Sequence, residues 1–257
     1  MATKVRLGEE LSLRNARGHR LGAQVQRPQA AAETIGRRIV SGSWKPGSIL
    51  PSFDQLADEF SVSRLSVREA MRALAAKGLV ASKPRRGTIV RPRSEWSRLD
   101  QDVLIWQISE RPTAAFVRSL FEARVIIEPE AAALVAIRAN EEALAEIERA
   151  FQAMATSDPR SQESIEADVA FHQAVLNGTG NEFLAAFAPV IGTWLTKAFR
   201  VQRIAEPAQE HFVPQHRAIF EAIKRGDAEG ARRAFRILLT RSEADAMSGI
   251  RIMDESR

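Results

Sequence analysis

The chain contains no cysteine, no tyrosine and only four histidines. Without thiols there can be no disulfide framework and no thiolate metal site, so a bound metal would rest on histidine and carboxylate ligands. No apolar run approaches the ~18 to 20 residues that cross a bilayer. The N-terminal residues lack the apolar stretch of an export signal, so the expected location is the cytoplasm, with no membrane partner. A Gly-rich phosphate loop and a nucleophile elbow are also missing, which weighs against catalysis.

What is present suffices for two domains: 257 residues, 45% of them hydrophobic. The net charge of +5 is unevenly spread, with 19 Lys and Arg against 8 Asp and Glu through residue 98, and 18 against 24 beyond it. A basic front half joined to an acidic rear half fits a nucleic-acid module attached to a second function.

The pattern predicts a mainly α protein with an N-terminal winged helix-turn-helix, a small β-hairpin wing and a C-terminal all-α bundle. Residues 1–27 mix Gly, Arg and polar residues without a period and read as a flexible tail. Residues 28–93 carry the front domain, 94–100 a linker, 101–250 the helical domain, and 251–257 a C-terminal tail. Within the front domain, a helix near Gln29 to Ser41 precedes a turn-rich connector, "GSWKPGSILP". A short helix capped by Ser52 follows, and then a longer one stopped at Gly78. The run "LVASKPRRGTIVRP" reads as two strands around a basic turn. From Asp100 onward only helical periodicity appears, in six or seven segments.

Two short helices and a wing form a module that reads DNA through the second helix. Val67, Ala70, Met71 and Leu74 make that helix's apolar face, and Arg64, Ser66, Arg68 and Arg72 fall away from it. Arginine can donate two hydrogen bonds to guanine or clamp a phosphate, and Ser63 and Ser66 can reach phosphates. The wing tip, Lys83, Arg85, Arg86 and Gly87, can enter the neighbouring groove. Double-stranded DNA is the expected partner.

In the rear half, polar residues occupy inward stripes. Ile165, Asp168, His172 and Val175 share one helical face. Arg124 and Glu128 lie with Val117, Leu120, Phe121, Ile127 and Ala131, and His216 lies with Val213, Ile219, Phe220 and Ile223. Two readings stay open. Asp168 and His172, four apart, can join His216 as a facial O,N,N set for a divalent metal such as zinc. Alternatively, Asp168 hydrogen-bonds His172, Arg124 pairs with Glu128, and His216 is a satisfied core histidine. Trp194, Arg200 and Arg241 are candidates to line the same cavity; core packing is the competing role for Trp194, and a solvated face for the two arginines. His211 is expected to be exposed, and His19 lies in the tail.

The stretch from "IVSGSWKPGSILPSFDQLADEF" through "SVSRLSVREAMRALAAKGLVASKPRRGTIV" resembles the DNA-binding domain of GntR-type transcription regulators. That resemblance implies that Ser63, Arg64, Ser66 and Arg68 meet the operator with the wing tip assisting. One departure stands out: Asp54 occupies a position where family members often carry arginine. "FEARVIIEPEAA", "DVAFHQAVLNGTGN" and "QHRAIFEAIKRGDAEGARRAF" are similar to the FCD effector domain of the FadR branch. This similarity implies that Asp168, His172 and His216 are three of the usual four metal ligands. It implies too that Arg124 meets an effector carboxylate and that the place of the fourth ligand, normally histidine, falls on Leu238. The junction "RGTIVRPRSEWSRLDQDVLIWQ" is similar to regulators of D-galactonate catabolism, which implies a sugar acid or related hydroxy acid as effector.

The expectation is therefore a homodimeric, ligand-responsive repressor of a catabolic operon that binds a palindromic operator through its front domain. In this reading the helical domain binds the effector and dimerises. The alternatives are a metal-dependent enzyme acting on a hydroxy acid, which an O,N,N centre could support, and a regulator that senses the metal itself.

Overall fold

The computed structural model describes residues 28–109, 113–159, 161–202 and 211–255, with side chains in all of these except 197–202 and 252–255. The N-terminal tail of the sequence reading, and His19 within it, lies outside the described residues. The protein is mainly helical and divides into two compact units, the first ending at Trp106 and the second beginning at Gln107.

In the first unit, helix α1 (Pro28–Val40) buries Ala31, Ala32, Ile35 and Ile39. Helix α2 (Phe53–Glu59) opens with a capping box: Ser52 accepts from the Gln55 amide while the Gln55 side chain accepts from the Ser52 amide. The turn after α2 places Ser61 at φ 53° and leads into helix α3 (Arg64–Ala76), whose cap is Ser63. Val67, Ala70, Met71 and Leu74 are the buried face of α3, as the periodicity predicts. Gly78 then turns the chain at φ 75°, and a Cβ there would meet the Glu95 carbonyl oxygen at 2.3 Å.

Strands β1 (Val80–Lys83) and β2 (Gly87–Val90) pair antiparallel, with Lys83 opposite Gly87 at the tip. The connector expected to be only turns also pairs with this hairpin. Ile49 bridges to Ile89, and the Gly47 and Leu50 amides donate to the Val90 and Thr88 carbonyls, both at 2.8 Å.

The division between domains falls later than the expected start of the helical domain at residue 101. Helix α4 (Gln101–Ser109) sends Val103 and Trp106 into the core of the first unit. Trp106 lies so close to Gly36 that a Cβ at that glycine would come within 2.2 Å of the indole. Lys77, at the end of α3, binds both Asp100 and Asp102 at 2.8 Å. The end of α3 is thereby tied to the start of α4.

The second unit is a helical bundle: α5 (Ala114–Arg138), α6 (Glu141–Thr156), α7 (Gln162–Asn177), α8 (Glu182–Ala185), α9 (Ala188–Gln202), α10 (Phe212–Lys224) and α11 (Ala228–Glu255). A break between α5 and α6 that carries neither Gly nor Pro is made by Asn140, whose side chain accepts from the Ala143 amide. Helix α11 continues through the segment expected to be a C-terminal tail as far as Glu255. Its main partners are α5 and α10, α6 packs on α7, and α7 packs on α9.

Candidate functional site

In the first unit, Arg64, Arg68, Lys83, Arg85, Arg86 and Gly87 are all exposed, on the opening turns of α3 and at the hairpin tip. Ser63 is engaged as the α3 cap: its Oγ accepts from the Ser66 amide at 3.0 Å and lies 2.8 Å from the Ser66 hydroxyl. The exposed Arg72 donates to Glu69 on its own helix at 2.8 Å. Leu65 is 67% exposed beside Arg64, and an apolar side chain on such a face can contact a thymine methyl. At the wing tip Arg85 adopts φ 61° and Gly87 φ 87°, which completes the tight reversal.

In the second unit, the α7 stripe places Asp168 and His172 one turn apart, and both are buried. Helix α10 adds His216 and helix α5 adds Arg124 and Glu128, all buried. His216 Nδ1 lies 2.9 Å from the Phe212 carbonyl oxygen. That oxygen can only accept, so the ring donates there and a neutral His216 leaves its Nε2 lone pair free. His172 repeats the device, its Nδ1 bonding to the Glu128 carboxylate. Aromatic edges hold both rings in place, with Phe235 of α11 at 5.3 Å from His172 and Phe171 at 5.2 Å from His216.

The two Nε2 atoms and Asp168 Oδ1 converge. Asp168 Oδ1 is 2.9 Å from His216 Nε2 and 3.6 Å from His172 Nε2. Although close, neither Asp168 Oδ1 nor His216 Nε2 has a partner in hydrogen-bonding geometry among the described residues, and both are buried. An orphaned carboxylate oxygen facing an orphaned imidazole nitrogen is costly unless something fills the space between them. One donor atom from each of Asp168, His172 and His216 lies within 4.8 Å of the others. Donors bound ~2.1 Å from a zinc-type ion stand roughly 3 to 4 Å apart, so the set fits a divalent cation.

Glu128 links this cluster to Arg124. One of its oxygens accepts from Arg124 Nε at 2.5 Å, while the other bonds His172. Burial alone would raise the Glu128 carboxyl, but the Arg124 guanidinium and His172 outweigh it and hold the pKa at about 2. Arg124 also stacks on the Phe121 ring at 5.1 Å, and Phe121 in turn meets Trp194 edge-on at 6.0 Å. Trp194 is buried, and its Nε1–H has no acceptor among the described residues. Gln215, next to His216, likewise holds a buried amide nitrogen without a partner among the described residues.

The structure thus contains the Arg124–Glu128 pair, while His172 takes Glu128 rather than Asp168 as its hydrogen-bond partner. Glu128 is the functional residue that sequence reasoning left out of its site. Its spacing from Arg124 suggested only an ion pair, and nothing in the sequence showed its second oxygen turned to a helix 44 residues away. Arg241 is exposed on α11, where it acts on Asp245. The Arg200 side chain lies outside the described residues. His211 is exposed, as expected, and Leu238 is buried on α11.

A winged helix-turn-helix joined to a helical bundle with a buried polar cluster defines a ligand-responsive, DNA-binding transcription regulator. Residues 28–90 match the family described as bacterial regulatory proteins, gntR family, and residues 119–241 match the FCD domain. The Escherichia coli galactonate operon transcriptional repressor is 34% identical over 202 residues, 78% of this chain and 88% of that one. The Bacillus subtilis regulator LutR is 30% identical over 82% of this chain and 96% of its own. The putative L-lactate dehydrogenase operon regulatory protein of E. coli is 30% identical over 79% and 80%. The solved structure of Lar, described as controlling the Listeria monocytogenes agr system, shares the fold with a TM-score of 0.61 at 18% identity, covering 86% of this chain and 96% of the other. The chain belongs to the GntR family of transcription regulators, in the FadR-type branch that carries an FCD domain. That family is one of regulators, which sets aside the enzyme reading. Among the described residues no helix is long and apolar enough to cross a membrane.

Proposed function

We propose that the protein is a cytoplasmic, homodimeric repressor of a catabolic operon that releases a palindromic operator when a small 2-hydroxy carboxylate, such as a sugar acid, enters the helical domain. Asp168, His172 and His216 would hold a divalent metal, with Arg124 and Trp194 as further effector contacts. The observation that carries this reading is the pair of histidines whose Nδ1 atoms are both anchored, so that both Nε2 atoms and an unpartnered Asp168 oxygen share one buried space.

Charge supports a cation there. Arg124 and Glu128 cancel, which leaves Asp168 as net negative charge in a buried cluster that would repel an anionic effector. A divalent ion bound there supplies a Lewis-acidic anchor for carboxylate and hydroxyl oxygens. Arg124 offers its remaining N–H groups, and the unpartnered Trp194 N–H suits a further hydroxyl. Galactonate and lactate, named in two relatives, are both 2-hydroxy carboxylates. Sensing of the metal alone is the weaker reading, because three protein ligands leave coordination positions open for a second molecule. The effector acts only through unequal affinity for the DNA-bound and released arrangements of the dimer.

The test combines elemental analysis of the purified protein, thermal-shift screening of 2-hydroxy acids with and without chelator, and release of bound DNA by any acid that scores. A hydroxy acid that stabilises the metal-loaded wild type, fails with Arg124→Ala and releases DNA supports the reading. If no hydroxy acid shifts the metal-loaded protein, the effector assignment is lost. A shift that survives chelation removes the metal from it.

A further inference from the structure

Asp54 sits in the first turn of α2, on the surface that presents Arg64 at the start of α3, and the two are ion-paired, with Asp54 Oδ1 3.3 Å from Arg64 Nε. Both are well exposed, at 67% and 72%. A carboxylate on a DNA-facing surface is unusual. Phosphate contacts dominate nucleic-acid affinity, and a fixed negative charge there opposes them. The N-terminal residues of the second helix in this module are the ones that reach base edges. Arg64 is the first residue of that helix, directly after the Ser63 cap.

The geometry of the pair suits a division of labour. Asp54 engages the guanidinium at Nε, which leaves the two terminal nitrogens as the free edge. That edge donates two parallel hydrogen bonds to guanine O6 and N7. In water such an exposed pair is weak. As the groove closes over it and water is displaced, the attraction strengthens and the orientation is held more firmly. If Arg64 turned to a phosphate instead, Asp54 would be left unpaired beside the backbone. Arg68, by contrast, has no such carboxylate partner among the described contacts, and Arg72 has its own partner in Glu69.

We propose that Asp54 is a specificity-determining residue of the operator contact: it holds Arg64 on a guanine edge and penalises phosphate binding, lowering affinity for DNA at large in exchange for sequence discrimination. This inference rests on the DNA-binding domain and is independent of the effector assignment.

The experiment uses the full-length protein. Wild type first selects its preferred duplex from a random DNA pool. Fluorescence anisotropy at several salt concentrations then measures wild type, Asp54→Ala, Asp54→Asn and Arg64→Ala on that duplex, on versions with each guanine replaced, and on unrelated DNA. Thermal melts confirm that each variant is folded. Arg64→Ala should abolish the preference at one guanine per half-site. Asp54→Ala should reduce the preference at that same base pair by about tenfold while binding unrelated DNA more tightly than wild type. Asp54→Asn, which keeps an acceptor oxygen but loses the charge, should fall between. The proposal is overturned if Asp54→Ala weakens all duplexes equally, which marks a purely structural role. It is also overturned if Asp54→Ala affects a different base pair from Arg64→Ala, or if no guanine depends on Arg64.

Discussion

Replacing Glu128 with alanine should destabilise the helical domain by about 3 to 5 kcal/mol, because it leaves the Arg124 guanidinium buried without its counter-charge. Arg124 and Glu128 are 1% and 0% exposed, so water cannot take the place of the lost carboxylate. A second route reaches the same size. The Glu128 carboxyl is held at about 2 against an ordinary 4.5, and a difference of that order corresponds to roughly 3 kcal/mol. Since the folded pKa is depressed, this stability is fully present above pH ~4.5 and is lost as pH falls toward about 2. Equilibrium urea denaturation followed by far-ultraviolet circular dichroism, with chelator present to exclude metal, measures the loss directly. The gap between wild type and Glu128→Ala should narrow progressively below pH ~4.5. Combining Arg124→Met with Glu128→Met removes both charges and should recover most of the loss. A loss below about 1 kcal/mol at neutral pH, of the size seen for exposed pairs, would refute the reasoning. So would a gap that does not change with pH.

Three further outcomes are expected. Gly36→Ala should lower front-domain stability by about 1 to 2 kcal/mol in thermal melts, since displacing the buried Trp106 ring outweighs the ~1 kcal/mol helix-propensity gain; a stabilised variant contradicts this. Trp194→Phe removes a buried N–H that has no acceptor, so stability should hold or rise while affinity for a hydroxy acid falls about tenfold; unchanged affinity takes Trp194 out of the effector site. Leu238→His, at the place where the family resemblance implies a fourth ligand, should tighten zinc binding on the order of tenfold in calorimetric titration, and an unaltered constant would show that this position does not face the metal.

Much of the front domain could be read from the sequence because its signals are local. Ser52 announces a helix start, Gly78 a stop, and the apolar face of α3 follows the helical period. The α7 stripe was equally legible, and Ile165, Asp168, His172 and Val175 are all buried. Partnership between distant segments was not. Periodicity says which face of a helix turns inward but not what it meets. Helix α4 buries Val103, Leu104, Trp106 and Ile108, a stripe too broad to point to one domain. The pairing of Ile49 with Ile89 depends on a strand edge that exists only after the hairpin has formed. The end of α5 is harder to read, because an asparagine cap without Gly or Pro leaves a faint mark in an otherwise continuous helical pattern.

The seating of Trp106 against Gly36, together with the grip of Lys77 on Asp100 and Asp102, determines where the chain can be cut. A head fragment ending at residue 93 or 100 would keep Arg64, Arg68, Arg72, Arg85 and Arg86 yet lose Val103 and Trp106 from its core, and it should expose apolar surface and aggregate. A chimaera that grafts this DNA specificity onto a different sensor therefore has to take its junction after Trp106. The part of helix α4 up to Trp106 then travels with the reader rather than with the receiver.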